Sequence, residues 1–110
     1  MLHTDAPIDH DGLGESFSPT DLLATALGTC VLTIMGIAAT KRKWQVRGMK
    51  ASIEKHMTQS GPRQIERLHL RVYLPDTLLD EQRRLLRRMA EECPVKRNLQ
   101  ESIDIVLIWI

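Results

Sequence analysis

From Leu22 to Ala39 the chain is apolar on every side of the helix it would form, and that run constrains the rest of the fold. Leu23, Leu27, Cys30, Ile34 and Ile37 recur at alternating spacings of four and three, which lays them along one stripe. Leu22, Ala26, Val31, Met35 and Ala38 occupy the opposite side. A helix without a wet face must be covered all round, by the rest of the chain or by a second subunit. Both ends are marked. Ser18 is placed to cap the free amides, Pro19 has no amide to leave unpaired, and Asp21 brings negative charge to the first turn. Lys41-Arg42-Lys43 close the negative end, so the predicted helix runs from Pro19 to about Thr40. The run approaches bilayer-spanning length, but Thr25, Gly28, Thr29, Cys30 and Thr33 dilute it, so a core helix is the better reading and no membrane is expected as a partner.

Downstream, Trp44 and Val46 set one alternating phase and Met49, Ala51 and Ile53 set the other; a slip at Arg47-Gly48 is what a β-bulge would produce. Leu68, Leu70, Val72 and Leu74 alternate with Arg67, His69, Arg71 and Tyr73, the pattern of a strand with one wet face. Ser60-Gly61-Pro62 turns the chain between them, which predicts an antiparallel hairpin with a long loop. After Pro75, the residues Leu78, Leu79, Leu85, Leu86, Met89, Ala90 and Cys93 fall at helical spacing, with Arg83, Arg84, Arg87 and Arg88 on the other side. Pro94 suits the first turn of a new helix, so Cys93 is expected at a helix junction, beside the amide-rich start of a segment from Pro94 to Gln100. A final strand alternates Ile103, Ile105, Leu107 and Trp109 with Asp104, Val106, Ile108 and Ile110 and ends apolar on both faces. The order helix, strand, strand, helix, short helix, strand predicts an α+β fold with helices on one face of an antiparallel sheet.

A length of 110 residues suits one domain, residues 1–110. Fifteen Lys and Arg against fourteen Asp and Glu leave a formal charge of +1, which argues against nucleic acid or anionic membrane as the main partner. The arginine-rich helix face is flanked by Asp80, Glu81, Glu91 and Glu92 and has no aromatic residues interleaved, so it reads as a solvated face. His3, His10, Asp5, Asp9 and Asp11 form a loose polar opening without the fixed spacing of a metal site, and no metal is expected. Met1 to Asp5 have neither the basic nor the apolar region of a secretory signal, so the cytosol is the expected compartment.

Chemistry then falls to two cysteines, Cys30 and Cys93, which have no metal-binding spacing. The thiolate is the reactive form, and a helix start or a neighbouring cation favours it. Cys93 has the helix start; Cys30, mid-helix among leucines, has no local help. As a pair they would suit peroxidase chemistry, in which one thiolate becomes a sulfenic acid and the other condenses with it to a reducible disulfide. As separate residues they would be small apolar filler, the commoner role of buried cysteine.

The stretch Gly12-Leu13-Gly14-Glu15-Ser16-Phe17-Ser18-Pro19-Thr20-Asp21, the helix on to Thr29-Cys30, and Cys93-Pro94-Val95 after a second helix resemble the OsmC/Ohr family, the osmotically inducible and organic hydroperoxide resistance proteins. The resemblance extends from His3 to Ile110. It implies an intertwined homodimer in which two long central helices pack beneath sheets drawn from both chains. It further implies reduction of organic hydroperoxides, with Cys30 as the peroxidatic residue, Cys93 as the resolving one, a dithiol as reductant and no bound cofactor. Two departures stand out. Active members use an arginine from an N-terminal hairpin and a glutamate directly after the helix-start proline. Here that hairpin is expected to be largely absent, Met1 to Thr40 contain neither Arg nor Lys, and Thr20 stands in the glutamate's place. Asp21 points about a hundred degrees further round the helix. Arg47, Arg63, Arg67, Arg71 and His10 are other cations, and no spacing selects among them. The alternative expectation is a catalytically silent dimer that binds a small apolar molecule or serves as a scaffold.

Overall fold

The computed structural model describes Met1–Ile110. After a single 3-10 turn at Ile8–His10 come α1 (Pro19–Lys41), β1 (Lys50–Met57), β2 (Ile65–Tyr73), α2 (Asp80–Ala90), α3 (Pro94–Leu99) and β3 (Asp104–Trp109). The α+β order matches the sequence reading. β1 and β2 pair antiparallel, from Lys50 opposite Tyr73 to Met57 opposite Ile65, around a loop that Thr58 and Gln64 close by reciprocal hydrogen bonds.

Two expectations need correction. The sheet is mixed rather than antiparallel: β3 runs parallel to β2, with Arg67 opposite Asp104 and Val72 opposite Trp109. The physical reason is the connection, since α2 and α3 carry the chain back along the sheet before β3 begins, as a parallel pairing requires. Nor is there a bulge at Arg47-Gly48. The chain turns there, with Gly48 at φ 89°, and the strand starts only at Lys50; the register shift lies instead between His56 and Met57. Trp44 belongs to the end of α1. Its N–H closes on the Ala39 carbonyl at 2.9 Å while Lys43 takes the left-handed conformation usually left to glycine.

The start of α1 is built as its sequence demands. The Asp21 N–H donates to Ser18 Oγ at 3.1 Å, and the Ser18 N–H donates to Asp21 Oδ2 at 3.0 Å, a reciprocal box that satisfies two free amides. The buried face of α1 is Ala24, Leu27, Val31, Met35 and Ala38, a stripe that crosses the two read from the sequence. At Gly28 the helix lies close to β2: a Cβ there would sit in ordinary contact with Leu70 Cδ1, at 3.6 Å. Leu68, Leu70 and Val72 from β2 and Leu86, Ala90 and Cys93 from the α2–α3 region complete the core. Away from it, Leu22, Ala26 and Ile34 stay half-buried, Thr29 and Thr33 are exposed, and Ile37 remains 49% exposed. One chain therefore leaves one side of its most apolar helix bare.

The arginines of α2 divide. Arg84, Arg87 and Arg88 face solvent as expected, and Arg87 also sits over the Trp109 ring at 5.6 Å. Arg83 turns back instead and donates to the carbonyls of Pro75 at 2.6 Å and Leu78 at 3.3 Å, bracing the turn that leads into α2.

Candidate thiol site

Cys93 ends the turn after α2 and caps α3. Its Sγ accepts the Lys96 N–H at 3.4 Å, and Pro94 occupies the first helical position, where a missing amide costs nothing. The cap fixes the side chain at the place where α3 packs against α1. Cys30 meets it from the middle of α1, half-buried at the fringe of the core, while Cys93 is fully buried within it. The structure thus brings together both sequence-predicted site residues, as free thiols close enough for Cys30 to act on the ionisation of Cys93.

Their environments differ. Burial pushes the Cys93 thiol up, and the contact with Cys30 acts in the same direction; the N–H groups of Lys96 and Val95 oppose the rise with smaller effect. Cys93 is therefore held as the protonated thiol near neutral pH. Cys30 has the more open side of the pair. The other clusters offer less chemistry. His56 and His69 stack with ring centroids 4.7 Å apart, and no group of three or more His, Cys, Asp or Glu is arranged to hold a metal. In the N-terminal opening Asp5 staples the loop, accepting the N–H groups of Leu13 at 3.2 Å and Glu15 at 3.0 Å.

Lys55 escaped the sequence reading. It lies on the inward phase of β1 with Ala51, Ile53 and Met57, where a charge must find a partner or be expelled. Its ammonium, 19% exposed, donates to Asp21 Oδ1 at 2.8 Å, Thr20 Oγ1 at 2.7 Å and Ser18 Oγ at 3.2 Å. The signal was available: a lysine two residues beyond Ile53 breaks an alternating apolar face, and Asp21 is an acidic residue at a helix start. Lys55 thus reaches the very position, Thr20, at which the sequence departs from active family members. Along one helix, Thr20 and Cys30 are about 15 Å apart, so this cluster does not serve the thiol of its own chain.

The hydrogen bond from Lys55, and then that from the Ser18 N–H, hold the Asp21 carboxyl below its usual range. A depressed carboxylate stabilises the fold above its unfolded pKa and loses that contribution as pH falls through the folded one. Thermal unfolding between pH 6 and 2 should show the wild type losing stability below about pH 4, and Asp21→Asn losing less over the same window. Parallel curves would remove the ion pair from the account of how α1 begins.

Against known proteins, the family model described as OsmC-like protein matches residues 12–108. No curated protein matches the chain by sequence. Among solved structures, a Psychrobacter arcticus protein described as an osmotic stress induced and detoxification response protein is 37% identical; the match covers 97% of this chain and 77% of that one, with a TM-score of 0.88. The organic hydroperoxide resistance protein OsmC of Legionella pneumophila shares the fold at 17% identity and a TM-score of 0.78, over 98% of this chain and 80% of its own. The organic hydroperoxide resistance protein OhrB of Bacillus subtilis does so at 19% identity and 0.70, over 86% and 71%. With a matched model spanning residues 12–108 and a solved relative 37% identical over 97% of the chain, this chain belongs to the OsmC-like protein family.

Proposed function

We propose that this protein is a thiol-dependent peroxidase that reduces organic hydroperoxides through Cys30 and Cys93 and works as a homodimer. The observation that carries the proposal is the meeting of the two thiols, from the middle of α1 and the cap of α3, in unlike settings. The Cys30 thiolate attacks the terminal peroxide oxygen, the O–O bond breaks, and the organic fragment leaves as its alcohol after taking up a proton. Cys30 is then a sulfenic acid. Cys93 condenses with it, releasing water and closing a disulfide, and a dithiol restores both thiols by giving up two electrons and two protons. The fully buried, protonated Cys93 suits the second role, since it does not compete for the peroxide. The fold shared with the organic hydroperoxide resistance proteins of Legionella pneumophila and Bacillus subtilis supports this substrate class.

The homodimer rests on the bare side of α1. Covering Leu22, Ala26 and Ile37 removes apolar surface from water at about 25 cal/mol for each Å². A second copy also has a chemical part. Lys55, fixed on Thr20 and Asp21, supplies a cation at the helix start, where active relatives place their glutamate, and in a dimer this cluster would serve the Cys30 of the other copy. The experiment is a trap. In Cys93→Ser, one equivalent of cumene hydroperoxide should leave a sulfenic acid on Cys30 that dimedone captures and peptide mapping locates, while the wild type gives no adduct. Absence of the adduct in Cys93→Ser would contradict the peroxidase.

One observation favours a silent binding dimer instead. A cleft of about 100 Å³ between α1 and the sheet is lined by Thr25, Gly28, Thr29, Leu32, Ala51, Ile53 and Leu70, and would take a short apolar group. On that reading the thiols are inert and the trap stays empty.

A further inference from the structure

We propose that the Cys30–Cys93 disulfide is opened at the sulfur of Cys30, so that the incoming thiol is carried transiently on Cys30 and Cys93 is the sulfur that departs. This inference rests on the peroxidase reading and concerns its reductive half. A thiolate displaces a disulfide sulfur in line, entering on the extension of the S–S axis, so access to that line decides which sulfur is attacked. Cys93 is fully buried in the core cluster that also holds Leu86 and Ala90, so no thiol reaches its sulfur from solvent. Cys30 is only half-buried, at the edge of that core, so its sulfur is the one an incoming thiol can approach.

The departing side is prepared as well. The Lys96 N–H already points at Cys93 Sγ at 3.4 Å and can hold the charge that appears when the S–S bond breaks. Cys30 sits mid-helix, where backbone amides are spent on the helix itself, and has no such donor. Burial of Cys93 works against departure, because a thiol with a raised pKa is a poorer leaving group. Access outweighs it, since a nucleophile that cannot reach a sulfur gains nothing from a better leaving group on the other side. The steps balance. One thiolate of the reductant bonds to Cys30 as the Cys30–Cys93 bond breaks, and Cys93 takes the electron pair and then a proton from the reductant's second thiol. That second sulfur then attacks the mixed disulfide, frees the Cys30 thiolate and leaves the reductant as its disulfide.

The test uses the wild-type chain and a monothiol, which cannot complete the second step. The protein is oxidised with one equivalent of cumene hydroperoxide, or in parallel with diamide, and then mixed briefly with excess glutathione. After an acid quench, free thiols are alkylated with N-ethylmaleimide and both cysteine peptides are mapped. The expected result is glutathione on Cys30 with maleimide on Cys93, in excess of the reverse pattern by roughly tenfold or more. Equal or reversed labelling overturns the inference and leaves the peroxidase standing. A disulfide formed by diamide but not by hydroperoxide ends the peroxidase reading, and the point of attack is still read on the diamide product. No disulfide from either oxidant overturns both.

Discussion

Replacing Cys30 by serine is expected to lower kcat/KM for organic hydroperoxide by roughly a thousandfold or more. The size follows from the chemistry. A serine hydroxyl is not ionised near neutral pH and is a weak nucleophile toward peroxide oxygen, so the step that breaks the O–O bond loses its attacking group. The substitution is nearly isosteric, and Cys30 packs at the fringe of the core rather than inside it, so the fold should persist. Stopped-flow measurement with cumene hydroperoxide and a dithiol, alongside thermal unfolding of the same samples, separates lost chemistry from lost structure. Cys93→Ser should behave differently, completing the first oxidation and failing to turn over. Equal rates for wild type and Cys30→Ser would reduce both cysteines to core filler.

The second large effect concerns assembly. Ile37→Asp should shift the protein from dimer to monomer in sedimentation equilibrium, weakening association by about 3 kcal/mol, roughly a hundredfold in Kd, because an unpaired carboxylate would be buried at the interface. The same substitution is nearly harmless to an isolated chain, since Ile37 is 49% exposed there. Arg84→Asp, on the solvated face of α2, provides the control and should leave the dimer intact. Dissociation should also lower peroxidase activity if the partner's Lys55 cluster acts on Cys30. A chain that sediments as a monomer from the outset would leave the bare face of α1 without its proposed occupant.

What the sequence revealed and what it hid divide along a physical line. Ser18, Pro19 and Asp21 act within one turn, so the start of α1 could be read directly, as could the cap that Cys93 forms ahead of Pro94. The alternation in β2 likewise reports local burial. Strand direction is not local. The pattern of Ile105, Leu107 and Trp109 is the same for a strand that runs either way, and only the path of α2 and α3 makes β3 parallel to β2. The turn at Gly48 was mistaken for a bulge because a phase change in an apolar pattern marks a break without saying which kind. Which side of α1 meets the sheet was hidden for a related reason: an all-apolar helix carries no polar face to orient it. Lys55 was legible and overlooked, because its meaning depends on the phase of β1 rather than on its neighbours in sequence.

Titrating the reduced wild type with cumene hydroperoxide and following thiol content and intact mass tests the joint action of the two cysteines most directly. The account predicts loss of both thiols per hydroperoxide consumed, one equivalent of alcohol, and a mass change of two hydrogens, with a single peptide pair linking Cys30 to Cys93. Oxidation that leaves Cys93 free, or that accumulates added oxygen on Cys30 without a disulfide, would contradict it.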